Sequence, residues 1–507
     1  GYQPGHLLIL PPGSVYSGPW QDGLEELQKR AASLDYLNES DGGSNSWVIS
    51  GERTATGKPI LAGDSHRALD TPNVYYQNHL ACPEFDVTGL SFPGLPGFPH
   101  FGHNQSVAWC VTHTNADCQD LYVEQFKSDD PERYLYQGQW RRAQAHHQTI
   151  KIKGSADVDL EVWVTQHGPL ISGGPKQGTG LAFKYTAAEG PSPWPDILRQ
   201  MLLAKDGNEL IESMREWVDP CNSFLFADVK GNSGCLCRGR IPIRSIANAW
   251  LPVPGWSGEH EWKGYIPFDD LPRSLNPKEG YIATANNRPV DDGYAYYIGI
   301  DFAPEFRVKS VTEGLLSLDR PVAADMVKIH AQRVSIPAQT YIQKAQAIEP
   351  VDELSARAKA KLLAWTGDMD ASLVEPTIYS AWRDALVQEV LEFNLGPKLA
   401  IEAWDLGNRG IGYFVNRVKS GMAAMISEDD RSLLPPGEGW PSMMSRALSR
   451  GLEALRRCLG DEVEDWRWER LHQARPRHTL SAAYPDLAAL LDPPPIQHIF
   501  WLYLRPY

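Results

Sequence analysis

With 507 residues, 42% of them hydrophobic and 22% charged, the chain has an ordinary globular composition and length for roughly three average domains or one large layered one. Its net charge of −15 leaves no basic surplus to neutralise phosphates, which argues against a nucleic-acid partner. No apolar run approaches the roughly 20 residues of a bilayer-spanning helix, so no membrane role is expected. Seven cysteines, scattered and odd in number, do not form a disulfide framework. Cys235-Leu-Cys237 lacks a second Cys/His pair at zinc-finger spacing and reads as a strand with two inward thiols.

The chain opens Pro/Gly-rich, turns helical over about Gly23 to Leu34, and breaks at Asp41-Gly42-Gly43. Ser44 follows, leading into the strand Trp47-Val48-Ile49. The plain reading is a Gly-Gly turn entering a strand. No Gly-x-Ser-x-Gly elbow surrounds Ser44 or occurs elsewhere, and no activating base lies beside it. Cleavage of the Gly43–Ser44 bond would supply one: Ser44 would carry an α-amino group with a reference pKa of about 7.7–8.0.

Short strands follow at Pro59–Ala62, Val107–Val111 and Leu121–Val123, separated by turns such as Thr56-Gly57-Lys58 and Pro93-Gly94-Leu95-Pro96-Gly97. More strands are expected at Ile150–Ile152 and Val158–Thr165, then helix over 195–217. A hairpin turn is predicted at Lys230-Gly231-Asn232, and a strand at Tyr281–Ala285 ends in Asn286-Asn287. From about 305 to 470 the pattern is mostly helical, with segments near 321–332, 351–365, 376–393 and 442–459. Early strands and late helices predict antiparallel sheets covered by helices.

An ordered set of motifs resembles the penicillin acylase family of N-terminal-nucleophile amidohydrolases. They are Gly42-Gly-Ser44-Asn-Ser-Trp-Val, Leu61-Ala-Gly-Asp-Ser-His66-Arg-Ala-Leu, Phe101-Gly-His-Asn104-Gln-Ser-Val-Ala-Trp109 and Asp117-Cys-Gln-Asp120-Leu-Tyr-Val-Glu. Leu251-Pro-Val-Pro-Gly255 through Trp262-Lys-Gly, Gly280-Tyr-Ile-Ala-Thr-Ala-Asn286-Asn and Arg307 complete the set. A looser likeness continues through Leu363-Ala-Trp365-x-Gly367, Trp382-Arg383 and Arg475-x-Arg477-His478. The resemblance implies an α+β fold, a four-layer αββα sandwich of two antiparallel sheets flanked by helices, with a mainly helical later region. It divides the chain into a remnant of an α subunit or spacer (1–43), a catalytic core (44–310), a helical part (311–480) and an atypical tail (481–507).

The resemblance also implies roles. Ser44, freed by self-cleavage of a zymogen, attacks an amide carbonyl while its amine, through a water, takes the proton. The His113 backbone N–H and the Asn286 side-chain amide stabilise the oxyanion. His66 orients the amine and assists cleavage, and Arg307 holds the Asn286 loop and contacts the amine. Phe101 and Val111 wall the acyl pocket. Arg67 either meets a polar acyl group or joins a structural ion pair. Asp117, the Gln119 carbonyl and Asp120 fall on a structural Ca²⁺ loop, whose downstream acidic position falls near Tyr296-Tyr297.

No organic cofactor is implied. The resemblance implies a small-molecule amide substrate of penicillin, cephalosporin or N-acyl type, with a link to antibiotic metabolism. A periplasmic or secreted location is implied by the resemblance alone, as the sequence itself shows no signal-peptide pattern and leaves the location unknown. The family's N-terminal subunit is larger than residues 1–43 and its ending differs from Asp492–Tyr507, so truncation at both ends is expected. Two rivals stand beside this reading. One is an unprocessed remnant of the fold serving as a binding or scaffold protein; the other is a different amidase, such as an acyl-homoserine-lactone or bile-salt-type hydrolase.

Overall fold

Strand Gly43–Ile49 is buried on both sides, and the sequence alternates to suit two different neighbours. The computed structural model describes residues 42–67, 69–249, 252–408, 413–474 and 476–493. Trp47 and Ile49 face outward, packing with Val311, Leu315, Met326 and Ile329 of helices Phe306–Ser317 and Met326–His330. Val48 faces inward to Cys110, Leu225 and Ala227 of a second sheet. That sheet's opposite face carries Trp109, Val111, Phe224 and Phe226 against helices Trp194–Leu203 and Gly207–Ser213. Helix, sheet, sheet and helix therefore stack as an αββα sandwich.

The first sheet is antiparallel, with Gly43–Ile49 between Tyr281–Thr284 and Ile60–His66. The second has seven strands, with Val107–His113 between Asn222–Asp228 and Phe101–His103. Two small residues set the sheet-to-sheet spacing. A methyl group at Gly63 would lie 2.8 Å from Cys110 Cβ and 2.9 Å from Phe101 Cε1, so only glycine fits there. Across the gap Ser46 Oγ donates to the Val111 carbonyl at 3.1 Å, and the Thr112 and Thr284 hydroxyls meet at 3.0 Å.

A third sheet, of eight strands, extends from Gln119–Lys127 and ends in the exposed strand Gln144–Ile150. The later helices share their own core around Tyr341, Trp382, Trp440 and Met444. Helix Trp440–Leu459 buries Met443, Met444, Ala447, Leu448, Gly451, Leu452 and Leu455 on one stripe, each large side chain contributing about 1.5–3 kcal/mol. Gly451 lets it approach the backbone of Ala381, which a methyl group would meet at 2.8 Å.

Several boundaries differ from expectation. The helix over 195–217 is two helices, because Asp206 caps a new one by accepting from the Glu209 N–H at 2.9 Å. The helix near 376–393 runs on to Asn408, with a kink where Gly396 takes a φ of 74° before Pro397. Pro59 lies just before its strand, which spans Ile60–His66. Strand Gln144–Ile150 ends before Ile152. The boundary expected at 310/311 falls inside helix Phe306–Ser317, whose side chains belong to the sandwich. The helix over Gly23–Leu34, Leu251, Arg475 and the tail from 494 onward lie outside the described residues.

Candidate active site

Ser44 is buried at the start of its strand, paired with Ser65, while Gly43 pairs with His66. The Ser44 backbone N–H donates to Asn286 Oδ1 at 2.7 Å. The same oxygen accepts from the Arg307 guanidinium at 2.9 Å. Arg307 also donates to the Ser44 carbonyl at 2.8 Å and to Asn45 Oδ1 at 2.7 Å. Arg307 thus joins the Asn286 side chain to the Ser44 carbonyl.

Asn286 ends strand Tyr281–Thr284 by turning left-handed, with a φ of 64°. Asparagine tolerates that region better than most residues. The turn is pinned by the Ala285 N–H on Asn287 Oδ1 at 3.0 Å and the Ala303 N–H on the Asn286 carbonyl at 2.9 Å. Asn286 Nδ2 then donates to the His113 carbonyl at 2.9 Å, which leaves its second hydrogen for another acceptor. His113 closes strand Val107–His113, and its Nδ1 lies 2.8 Å from Asn115 Oδ1.

Alternation along the strand separates the Ser44 hydroxyl from the histidine. Ser44, Ser46 and Val48 point to the second sheet, whereas Asn45 and the cross-strand residues Asp64 and His66 lie on the outer face. There His66 Nε2 meets Asp64 Oδ2 at 3.1 Å, and Asn45 Nδ2 lies 3.3 Å from the same ring nitrogen. His330 Nδ1 stands 3.7 Å from Asp64 Oδ2, an ion-pair distance rather than a hydrogen bond. Burial raises the Asp64 carboxyl, but the imidazoles of His330 and His66 outweigh it and hold the group at about 2. A methyl group at Gly43 would stand 3.0 Å from His66 Nδ1, 3.5 Å from Arg307 and 3.6 Å from Asn286 Oδ1.

The expected pocket residues divide. Phe101 borders the inter-sheet space beside Gly63 and packs edge-on to Tyr75 with ring centres 5.6 Å apart. Tyr75 also packs on Phe92, and its hydroxyl meets His100 Nδ1 at 2.9 Å. Burial first, then the charges of Arg238 and Arg67, pushes the His100 imidazole down to about 3, so it is neutral. Of this aromatic group only Phe101 belongs to a motif; Tyr75, Phe92 and His100 carry no sequence signal of their own. Val111 is a correction. Its side chain lies in the core beneath helix Trp194–Leu203, on the face turned away from Ser44, because the strand's inward positions are Cys110 and Thr112.

The calcium expectation is also corrected. Arg244, fully buried, takes the oxygens assigned to the ion. Its guanidinium lies 2.7 Å from Asp117 Oδ1 and donates to the Asp117 carbonyl at 2.8 Å and the Gln119 carbonyl at 3.4 Å. It also pairs with Asp120 Oδ1. Trp262 Nε1 and Asn248 Nδ2 donate to Asp120 Oδ2 at 2.5 and 3.1 Å, and the Tyr297 hydroxyl donates to Asp117 Oδ2 at 3.0 Å. A cation needs lone pairs turned toward it; Asp117 Oδ2 and Asp120 Oδ2 are turned toward donors instead, and Asp120 Oδ1, which makes no hydrogen bond, faces the Arg244 charge. The residues do not fit the ion.

Known proteins resemble the chain over most of its length. The penicillin amidase family profile matches residues 10–498. A penicillin acylase 2 proenzyme of a Pseudomonas species is 36% identical over 504 residues, covering 96% of this chain and 62% of the relative. An acyl-homoserine lactone acylase of Pseudomonas aeruginosa is 26% identical, covering 93% and 58%. The chain therefore spans about three fifths of the length of these curated relatives. A thermostable penicillin G acylase from Alcaligenes faecalis superposes with a TM-score of 0.70 at 20% identity, covering 83% of this chain and 80% of that one, a likeness of fold.

Proposed function

This chain belongs to the penicillin amidase family, and from that premise we propose that it is an acylase that hydrolyses a linear amide to a carboxylic acid and an amine. Ser44 is the nucleophile, released by cleavage of the Gly43–Ser44 bond. The observation that carries this reading is the Ser44 N–H held on Asn286 Oδ1 at 2.7 Å, with Arg307 gripping both residues. These contacts hold the main chain of Ser44, at the start of its strand, between a left-handed asparagine and a guanidinium.

Processing begins when Ser44 Oγ attacks the Gly43 carbonyl carbon. The peptide C–N bond breaks, the Ser44 nitrogen takes a proton, and an ester links Gly43 to Oγ. Water hydrolyses that ester, leaving a Gly43 carboxylate and a free Ser44 amine. In turnover the neutral amine accepts the Oγ proton through a water as Oγ adds to the substrate carbonyl. The free Nδ2 hydrogen of Asn286 and the His113 N–H serve the oxyanion. The leaving amine takes a proton, and water then releases the acid from the acyl-serine. His66 Nδ1, beside Gly43, serves the bond to be cut and the amine that replaces it. Phe101, Tyr75 and Phe92, with Arg67 near them, form the acyl-side wall.

The test is N-terminal sequencing and intact mass. Wild type is expected to yield a fragment beginning Ser-Asn-Ser-Trp, and Ser44→Ala to remain uncut. Cleavage at the same bond in Ser44→Ala would assign it to an outside protease. A panel of penicillin, cephalosporin and N-acyl-homoserine lactone amides then ranks the acyl groups. Turnover of none by cleaved protein would favour a binding remnant.

A further inference from the structure

Asp117 and Asp120 carry two negative charges at the junction of the strand Gln119–Lys127 with the loop that leaves His113. Asp120 is fully buried and Asp117 largely so, a placement that carboxylates adopt only with a compensating positive charge. We propose that the Arg244 guanidinium is a built-in replacement for a divalent cation here, so that the fold of this chain is independent of calcium.

Three features support the assignment. First, the planar fork engages both acids and two carbonyls at once, the multidentate task a metal performs with coordination bonds. Second, the carboxylate oxygens left over are closed by donors. Trp262 and Asn248 take Asp120 Oδ2, and Tyr297 takes Asp117 Oδ2. A hydroxyl whose hydrogen points at the carboxylate offers the acid less than a further carboxylate would offer an ion. Third, Arg244 is sealed in place, with no exposed side-chain surface and the Tyr297 ring 5.6 Å from its guanidinium carbon. A calcium ion would have to expel it and break every one of these contacts.

The clamp has a route to the candidate active site. The Asp117 N–H donates to the Ile298 carbonyl at 2.8 Å, and Asn115 Nδ2 donates to the Asp301 carbonyl at 2.8 Å. Asn115 contacts His113, and Ala303 holds Asn286. These hydrogen bonds join the loop that Arg244 grips to the segment that carries Asn286. The inference does not need Ser44 to be catalytic, because its readout is unfolding.

The experiment measures thermal unfolding of the full chain in EGTA and in calcium chloride, with terbium luminescence excited through tryptophan as a direct probe of the loop. Wild type is expected to unfold at one Tm in both buffers and to show no terbium emission that calcium displaces. A wild-type Tm that falls in EGTA and recovers with calcium would overturn the proposal. Arg244→Ala is expected to lose Tm in EGTA and regain part of it in proportion to the logarithm of calcium concentration. Arg244→Ala as stable as wild type in EGTA would equally overturn it. Arg244→Lys guards against an Ala variant that does not fold. It keeps the charge without the fork and is expected to fold with a lowered Tm. A Lys variant as stable as wild type would show that no guanidinium is needed.

Discussion

His66 and Gly43 are cross-strand partners, and a single methyl group on Gly43 would stand 3.0 Å from His66 Nδ1. The imidazole thus lies on the outer strand face beside Gly43, while the Ser44 hydroxyl points to the other side of the sheet. Such a contact is tighter than the imidazole accepts without shifting, and Arg307 and Asn286 close the remaining space. Gly43→Ala is expected to slow release of the Ser44 terminus while leaving kcat of the cleaved enzyme unchanged, since residue 43 has then left the amine. A time course of cleavage on gels, followed by kinetics on fully cleaved protein, separates the two stages. An unchanged cleavage rate would remove His66 from the processing step.

Asn286 has one Nδ2 hydrogen on the His113 carbonyl and one to spare. Removing a comparable oxyanion donor typically costs about 10²–10³ in turnover, roughly 2.7–4 kcal/mol. Asn286→Ala is expected to show that loss in kcat, measured on cleaved protein with unchanged circular dichroism. An effect confined to KM would assign the amide to ground-state binding.

Asp64 sits at about 2 in the fold against an ordinary 3.8. Its folded value lies below its unfolded one, so its contribution is complete above roughly pH 4 and is lost as pH falls toward 2. The difference corresponds to about 2 kcal/mol. Asp64→Asn is expected to lower stability at neutral pH by that order and to flatten the stability curve between about pH 4 and pH 2. Urea unfolding midpoints from pH 2 to 6 check this, and an unchanged slope in that window would show that His66 and His330 do not stabilise the charge.

How far the sequence carries the fold follows from how local each signal is. The strand after Gly43 was legible because alternation and a Gly-Gly break sit within ten residues, and Ser44, His66 and Asn286 were named through motifs. Strands Tyr76–Ala81 and Gln144–Ile150 escaped because they are largely exposed and show no apolar alternation. Val111 was misplaced by a rule of strands: its neighbours Cys110 and Thr112 take the inward face, and one position decides everything. Arg244 was invisible. It stands in Ile241-Pro-Ile-Arg244-Ser with no motif, and meets the Gln119 carbonyl from 125 positions away. His330 likewise reaches Asp64 only through the packing of its short helix on Trp47.

The pH dependence of turnover tests the centre of the proposed chemistry. If the base is the Ser44 α-amine, it must be neutral to accept the hydroxyl proton. Activity is then expected to rise with pH through the amine's ionisation, at or below its reference value of about 7.7–8.0. The shift is downward because Arg307, which donates to the Ser44 carbonyl at 2.8 Å, is a like charge that disfavours the ammonium form. His66 lies on the opposite strand face from the hydroxyl, with its Nε2 3.1 Å from Asp64 Oδ2. His66→Gln is therefore expected to keep the rising limb and lower the plateau. The measurement is kcat/KM against pH for wild type and His66→Gln, both with cleavage confirmed by mass. Disappearance of the limb in the variant would transfer the role of base to His66 and refute the amine.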